Sequence, residues 1–285
     1  MAASALASRG ALLPVVLGSS SSSRRGVLAA FRVPFTVLAP DIDEKAVAGR
    51  AAGGGAGALA LAVAHAKLDA LLPRAAALFP RGCLVIAADQ VVLGPRGDDG
   101  APREKPEDAA EARAMVASYS GASASTVSAV VVAALPPAAP SEPPRRAAGV
   151  EISTVRFLDF DAALVEAALA PARAVPLAAL LPLCSGAGAG GKDEGERYGS
   201  QPQHGRDEAA ASVFSCAGAL CVEHPAYAGR IERIEGSLDS LHGLPFMLLL
   251  RLAREATGNE AFAFARDGGG GGGGGATDAA GEARL

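Results

Sequence analysis

Residues 15–28 read VVLGSSSSSRRGVL and join an apolar segment to the start of a helix through a serine-rich turn. Residues 15–19 are predicted to form a buried strand and residues 24–32 a short helix, with Arg24 and Arg25 in its first turn. Hydroxyl groups and cations beside the amides of a helix start suit a bound phosphate. The alternative is a low-complexity serine repeat with no ligand.

The alternation of strand and helix continues along the chain. Apolar patterning predicts further strands at 33–40, 83–93, 125–135 and 150–160. It predicts further helices at 57–73, 106–121, 161–170 and 244–256. The helix 106–121 is expected to begin at its proline, with acidic residues in the first turn. This order predicts an α/β fold.

The ordered domain is predicted to span 15–256. Residues 1–14 are an N-terminal extension, and residues 136–147 are a proline-rich surface loop. Residues 172–209 cannot supply a packed core and are predicted to be a disordered insertion. The tail 257–285 contains eight consecutive glycines and is predicted to be flexible.

Within the insertion, GAGAGGKD at 186–193 nearly matches a phosphate-binding loop. Asp193 stands where that loop needs a hydroxyl for Mg²⁺, and no amphipathic helix follows. A carboxylate at this position would also repel phosphate. We therefore reject this segment as a nucleotide site.

Composition limits the classes of function. Half of the 285 residues are hydrophobic, which is enough for a large core, and the net charge is −4. This charge offers no support for binding bulk nucleic acid or an anionic membrane, so a phosphate ligand needs a local cluster of cations. No run of 18 strongly apolar residues without charge predicts a membrane span.

The four cysteines form no CxxC pair and are predicted to be reduced thiols of an intracellular protein. The expected location is the cytoplasm. The alternative is an organelle, because the Ala- and Ser-rich start faintly resembles a transit peptide.

Two groups of acids are candidates for chemistry. Asp89 lies inside the apolar run VIAADQVV, where a carboxylate is costly unless it is paired, hydrogen-bonded or metal-bound. It is predicted to be a base or metal ligand at the end of a strand, or else a cap for a neighbouring loop. Asp41, Asp43 and Glu44 in PDIDE offer the oxygen ligands that Mg²⁺ prefers, or form only a solvated loop.

Two lysines are candidate partners of phosphate. Lys67 lies on a largely apolar helix, so its ammonium must reach solvent or a ligand, and Lys105 precedes a helix start. Each could also be an ordinary surface lysine. Gln90, the neighbour of Asp89, is expected to point to the opposite side of the strand or to line the cleft at the strand's end.

Taken in order, these segments resemble the Maf-like family of nucleoside triphosphate pyrophosphatases. The family opens with a strand followed by serines and two arginines, which LGSSSSSRR resembles, and Asp89 lies in IAADQVV, which is similar to the family's G-A/S-D-x-V strand. The other similar segments are PDIDE, AHAKLDAL, EKPEDAAEA, YSG (119–121), STVRF (153–157), RIEG (233–236) and HGLPFMLLL (242–250), the last matching a family segment V-G-L-P.

The resemblance implies an elongated, two-lobed α/β fold, with a mixed sheet flanked by helices and a central cleft. It implies an enzyme that hydrolyses the α–β phosphoanhydride of a nucleoside triphosphate and uses a divalent cation, Mg²⁺ or Mn²⁺. The family is often dimeric. Asp89 would accept the proton of the attacking water, and Asp43 or Glu44 would hold the cation. The implied phosphate ligands are Ser19, Ser21, Arg24, Arg25, Lys67 and Lys105.

Three features resemble the branch that is similar to bacterial 7-methyl-GTP pyrophosphatases. Gln90 follows Asp89, no histidine follows Ser120–Gly121, and one residue separates the serine motif from the arginines. This branch implies hydrolysis of 7-methyl-GTP, a house-cleaning of modified nucleotides. The alternatives are a dTTP/UTP-type pyrophosphatase and a nucleotide-binding regulator that has lost catalysis.

The positions that would select the base are Ser23, Gln90 and Ala217. Two of them depart from the branch, which has a bulky aromatic residue at Ser23 and a glutamate at Ala217 when its motif is placed on ASVFSCAG (211–218). A second placement on ERYGSQ (196–201) would instead supply Tyr198 and Gln201. These departures leave the preferred base open.

Overall fold

The computed structural model describes residues 13–47, 54–95, 101–136, 143–175, 180–184 and 210–265. Several expectations fall on other parts of the chain. The rejected loop 186–193, the second placement at 196–201 and the glycine run lie outside the described residues, as does most of the N-terminal extension.

Strands and helices alternate through the first half of the chain, as the sequence predicts. The longer strands are β1 (Val15–Gly18), β3 (Cys83–Leu93), β5 (Ser123–Leu135), β6 (Arg145–Phe157) and β9 (Ile231–Glu235). The two-residue strands are β2 (Thr36–Val37), β4 (Pro102–Arg103), β7 (Ala172–Arg173) and β8 (Ala210–Ala211). The helices are α1 (Ser22–Ala30), α2 (Gly55–Leu78), α3 (Ala109–Ser118), α4 (Ala162–Leu169), α5 (Leu238–Leu241) and α6 (Phe246–Thr257).

One mixed sheet organises the described chain. Its order is β2-β1-β3-β5-β6-β9, and β4 pairs with β3. β1 runs parallel to β2 and β3, whereas β3, β5, β6 and β9 form an antiparallel series. The mixed sheet flanked by helices confirms the predicted fold class.

Side chains of β3 alternate between two cores, one on each face of the sheet. Leu84 and Ile86 belong to the core that includes α1 and α6, whereas Val85 and Ala87 belong to the core that α2 covers. By the same alternation Asp89 faces α2 and Gln90 faces the opposite core. The prediction that these two neighbours point to opposite sides is confirmed.

The long helix α2 packs its apolar face on the sheet. It runs from Gly55 to Leu78 and continues through Pro73, at which the sequence predicts its end. By length and composition it could cross a membrane, and it is the one such helix in the described residues. However, the buried side chains of its inner face, such as Leu68 and Leu71, contact the sheet in the way of a core helix.

Several boundaries differ from the sequence predictions. The strand predicted at 33–40 is reduced to Thr36–Val37. Helix α3 begins at Ala109 rather than at Pro106, because the side chain of Asp108 accepts from the amide of Glu111 and so caps the helix. β6 begins at Arg145, inside the predicted proline-rich loop, because its first residues pair with the end of β5.

The ordered chain also extends into two segments that the sequence predicts to be disordered or flexible. Ala172–Arg173 pairs with Ala210–Ala211, and Leu180 is buried, although both lie in or beside the predicted insertion. In the predicted tail, Phe262 and Phe264 are buried in the core. The apolar residues of these short segments find partners in distant elements, which local composition does not reveal.

Candidate active site

A cleft opens where β3 loses its neighbour. On one edge of β3, the pairing with β1 ends at Ala87 and the pairing with β4 begins at Val92. The other edge of β3 is paired with β5 along its whole length. The stretch that contains Asp89 and Gln90 therefore has no ladder partner on the first edge among the described residues. The cleft has a volume of about 1320 Å³ and is lined by residues from β1, α1, β3 and α3. Ligands of open α/β sheets commonly bind beyond the carboxyl end of a parallel strand such as β1.

The turn after β1 forms one wall of the cleft. Ser21 is the N-cap of α1, and its hydroxyl accepts from the amide of Arg24 at 3.4 Å. The Arg24 guanidinium donates to the hydroxyl of Ser19 at 3.3 Å and to the carbonyl of Gly243 at 3.0 Å. The amides of the first turn of α1 have no intrahelical acceptor. The wall therefore presents hydroxyls, amides and a cation to the cleft.

Lys67 joins the two acidic segments that the sequence singles out. Its ammonium lies 2.7 Å from Asp89 Oδ1 and 2.9 Å from Glu44 Oε2. The side chains of Lys67 and Asp89 are 7% and 13% exposed, so the pair is almost removed from solvent, whereas Glu44 is 48% exposed. The structure thus brings together an acid of β3, a lysine of α2 and an acid of the loop after β2.

Burial controls the ionisation of this cluster. It raises the pKa of Asp89 above its ordinary value, an effect that Lys67 and Arg24 oppose and that Glu44 reinforces. Burial also lowers the pKa of Arg24, which the carboxylates of Asp89 and Glu44 oppose. A carboxyl with a raised pKa is a stronger base than a solvated one, which suits Asp89 to accepting a proton.

The amide nitrogen of Gln90 is held on the side of the sheet opposite Asp89. This nitrogen donates to the Ser128 hydroxyl at 3.0 Å and lies 3.0 and 3.2 Å from the carbonyls of Ser240 and Leu241. Because these carbonyls can only accept, they fix which end of the amide is nitrogen. Gln90 also lines the cleft, so its side chain is held in a single orientation there.

The remaining sequence candidates divide into two sets. Lys105 and Ser23 line the cleft, and Lys105 is exposed. Arg25 is exposed and does not line it. Asp43 does not line it either, because its side chain caps the 3-10 turn Glu44–Ala46 by accepting from the amide of Lys45. The structure therefore does not bring Arg25 or Asp43 to the other candidates.

Ala217 lines the cleft and begins a short 3-10 turn, Ala217–Ala219. The carbonyl of Gly218 accepts from the Tyr119 hydroxyl at 2.6 Å, and its amide donates to the Glu104 carbonyl at 2.7 Å. Its φ of +61° and the closeness of Val92 leave no room for a side chain at Gly218. This turn is thus fixed against α3 and β3.

The sequence does not single out Gly243, Glu223 or His242. The Gly243 carbonyl holds Arg24, but a backbone acceptor has no sequence signal. Glu223 and His242 also line the cleft, with Oε2 and Nε2 3.6 Å apart. The sequence did offer an indication for His242, because the family segment V-G-L-P has valine at that position.

A divalent cation fits only part of the cluster. No group of three or more His, Cys, Asp or Glu side chains that could hold a metal occurs in the described residues. Glu44 and Asp89 nevertheless converge on one ammonium, and carboxylate oxygens are the donors that Mg²⁺ prefers. Mg²⁺ commonly takes one or two carboxylates and completes its shell with water and substrate phosphates, so this donor set fits a cation that arrives with its nucleotide.

Comparison with known proteins places these residues in a wider context. The model of the family described as "Maf-like protein" matches residues 14–179. Proteins named 7-methyl-GTP pyrophosphatase from Bordetella avium and from Albidiferax ferrireducens are 41% and 40% identical over 107 and 118 residues. One of the same name from Dictyostelium discoideum is 35% identical over 122 residues.

These matches are partial. They cover 38%, 41% and 42% of this chain and 48%, 53% and 58% of the relatives, so the chain spans about half the length of the curated relatives it matches. Among solved structures, a HAM1 protein from Coxiella burnetii is 17% identical, with a TM-score of 0.27, over 50% of this chain and 73% of that one. A TM-score of this size is too low to compare the two folds.

Proposed function

This chain belongs to the Maf-like family, and on that premise we propose that it is a pyrophosphatase that hydrolyses the α–β phosphoanhydride of 7-methyl-GTP. The products are 7-methyl-GMP and pyrophosphate. The observation that carries the proposal is the buried pair of Lys67 and Asp89 beside the Ser19–Arg24 turn in one cleft. The names of the relatives support the choice of 7-methyl-GTP.

Phosphate binding falls to the cations and hydroxyls of the cleft. Arg24 has a planar fork of donors, and Ser19 and Gly243 use two of its N–H groups to fix its direction. Ser21 and the first amides of α1 add neutral donors. Lys105 is exposed at the cleft and is free to follow a phosphate chain, which makes it a ligand for the pyrophosphate leaving group.

Asp89 activates the water. The carboxylate takes one proton as the water oxygen bonds to the α-phosphorus, and the bond from that phosphorus to the bridging oxygen breaks. The electron pair leaves with pyrophosphate. Lys67 keeps Asp89 ionised and fixes its position, although burial alone would favour the protonated form.

A divalent cation would be held by Glu44, with Asp89 nearby, together with phosphate oxygens of the substrate. When bound, it supplies neutralisation of the phosphate charge. Lys67 occupies the space between these two carboxylates in the chain alone, so it balances their charge before substrate arrives. Mg²⁺ and Mn²⁺ both suit such an oxygen donor set.

The test is pyrophosphate release with Mg²⁺ from 7-methyl-GTP, GTP, dTTP and UTP. We expect 7-methyl-GTP to be hydrolysed fastest and the Asp89→Asn variant to lose about a hundredfold or more of kcat. The matched control is Asp69→Asn, because Asp69 lies on α2 but pairs with Arg146 and does not line the cleft.

Each other outcome selects an alternative. A preference for dTTP or UTP would keep the chemistry and reject the substrate. Nucleotide binding without release, by a folded protein, would indicate the regulator that has lost catalysis. Equal losses in the Asp89 and Asp69 variants would reject Asp89 as the base.

A further inference from the structure

One wall of the cleft carries a carboxylate and an imidazole that the proposed mechanism does not use. The side chains of Glu223 and His242 are 16% and 6% exposed, and both line the cleft. Their ionisable atoms, Oε2 of Glu223 and Nε2 of His242, are 3.6 Å apart.

His242 lies next to Glu223 but does not use its hydrogen-bonding capacity. Nδ1 of His242 lies 2.7 Å from the Leu238 carbonyl, an acceptor, so Nδ1 carries a proton and the ring is fixed. Nε2 then faces Glu223 Oε2 at 3.6 Å, which is too long for a hydrogen bond. The Cys221 thiol also reaches the carboxylate. A carboxylate has about four acceptor positions, so Glu223 keeps acceptor capacity for a ligand in the cleft.

Apolar side chains also line the cleft. Met115, Leu220 and Leu241 line the cleft and are themselves 8%, 7% and 7% exposed, so they offer apolar walls. A nucleobase can pack on such apolar side chains while polar groups of the cleft set the specificity. Gly243, next to His242, contacts Arg24, so this wall continues directly to the phosphate turn.

A carboxylate discriminates strongly between nucleobases. Guanine presents two adjacent donors, N1–H and the N2 amino group, which can bind both oxygens of one carboxylate. Uracil and thymine present one N–H between two carbonyl oxygens, and a carboxylate would repel those oxygens. Methylation of guanine at N7 adds a positive charge to the ring, which an anionic partner stabilises further.

We propose that Glu223 binds the N1–H and N2 amino edge of a guanine-type base. The proposal rests on the proposed function for the orientation of the nucleotide. It assigns base selection to a residue outside the segment ASVFSCAG (211–218) on which the motif is placed.

The test measures binding of product nucleotides by titration calorimetry, so it does not depend on turnover. Wild type should bind 7-methyl-GMP and GMP more tightly than UMP, and about tenfold more tightly than IMP, which lacks the N2 amino group. Glu223→Gln should weaken 7-methyl-GMP and GMP by about tenfold or more and leave UMP unchanged. The control Glu111→Gln removes an exposed carboxylate of the same cleft and should change none of these affinities.

The outcomes separate this inference from the proposed function. Equal affinities of wild type for GMP, IMP and UMP would overturn the role of Glu223 even if the variant failed to fold. An equal loss for all nucleotides in Glu223→Gln would also overturn it, because it would indicate a structural role. Binding of guanine nucleotides through Glu223 without any pyrophosphate release would support the inference while rejecting the proposed function.

Discussion

Lys67 holds together two carboxylates that would otherwise repel each other. The ammonium and its partner Asp89 are both nearly buried, so each has lost most of its hydration. A buried ion pair contributes little net stability, yet the removal of one partner leaves an uncompensated charge in the interior. The stability of the fold and the ionisation of the candidate base therefore depend on the same side chain.

We predict that Lys67→Met lowers the free energy of unfolding near neutral pH by about 3 kcal/mol, because Asp89 is left without its counter-charge. The double variant Lys67→Met with Asp89→Asn should recover most of this loss, since neither position of the buried pair then carries a charge. Urea unfolding of both variants measures the effect. A single variant as stable as wild type would show that Asp89 is already protonated or solvated in the folded chain.

The sequence reveals part of this cluster and not the rest. Asp89 and Lys67 stand out because each is a charge in an apolar pattern, and two such charges need a partner. Nothing local indicates that Glu44, rather than Asp43, reaches Lys67. That choice depends on the 3-10 turn at Glu44–Ala46, which occupies Asp43 as a cap and leaves Glu44 to project.

At the scale of elements, the serines of the run 19–23 differ in their burial and in their hydrogen bonds. Ser19 is buried and accepts from Arg24, Ser21 caps α1, and Ser20 is exposed. The sequence predicts a helix from residue 24, whereas the cap places its first residue at Ser22. Composition shows only a repeat of serines, so it cannot distinguish the capping residue from its neighbours.

Ser21→Ala should destabilise the protein by about 1 kcal/mol, because the amide of Arg24 loses its acceptor at the start of α1. Ser20→Ala is the matched control in the same run and should change the stability by less than about 0.5 kcal/mol. Denaturant unfolding of the two variants side by side gives the comparison. Equal effects would mean that the cap contributes nothing.

The contact between β6 and α5 contains a carboxylate whose ionisation opposes folding. Burial raises the pKa of Glu151 above its ordinary value, and Asp239 raises it further, whereas the hydrogen bond from the Ser237 hydroxyl at 3.0 Å lowers it. The folded chain therefore binds this proton more tightly than the unfolded chain. Its contribution favours folding at low pH and is lost as pH rises through the raised pKa.

Glu151→Gln keeps an acceptor for Ser237 and removes the charge, so it should raise the Tm near neutral pH. The difference from wild type should shrink as pH falls and disappear below about pH 4, where Glu151 is protonated in both the folded and unfolded states. Thermal unfolding across this range is the measurement. An advantage that is the same at every pH would exclude ionisation as its cause.

At the scale of the whole molecule, the sequence predicts the sheet better than it predicts the ends of the ordered chain. β3 has the predicted limits because its apolar run is long and almost entirely buried. The C-terminal limit is set by pairs of residues distant in sequence. Phe264 packs on Phe246, which stacks on Phe31 at 3.6 Å, and no local pattern links these three rings. The glycine-rich composition of the tail predicts flexibility, so it does not indicate that the two aromatic residues before the glycines are buried.

This chain of rings connects the C-terminal segment to α1, since Phe31 is the C-cap residue of that helix. Phe264→Ala should therefore lower the free energy of unfolding by about 3 kcal/mol through lost burial and the cavity it leaves. Met247→Ala is the control, because Met247 lies on α6 beside Phe246 but is 61% exposed, and it should have little effect. Both variants should retain wild-type affinity for 7-methyl-GMP while folded, since neither residue lines the cleft. Equal, small changes in stability would show that the C-terminal segment is not part of the core, whereas the expected difference would extend the folded domain to residue 265.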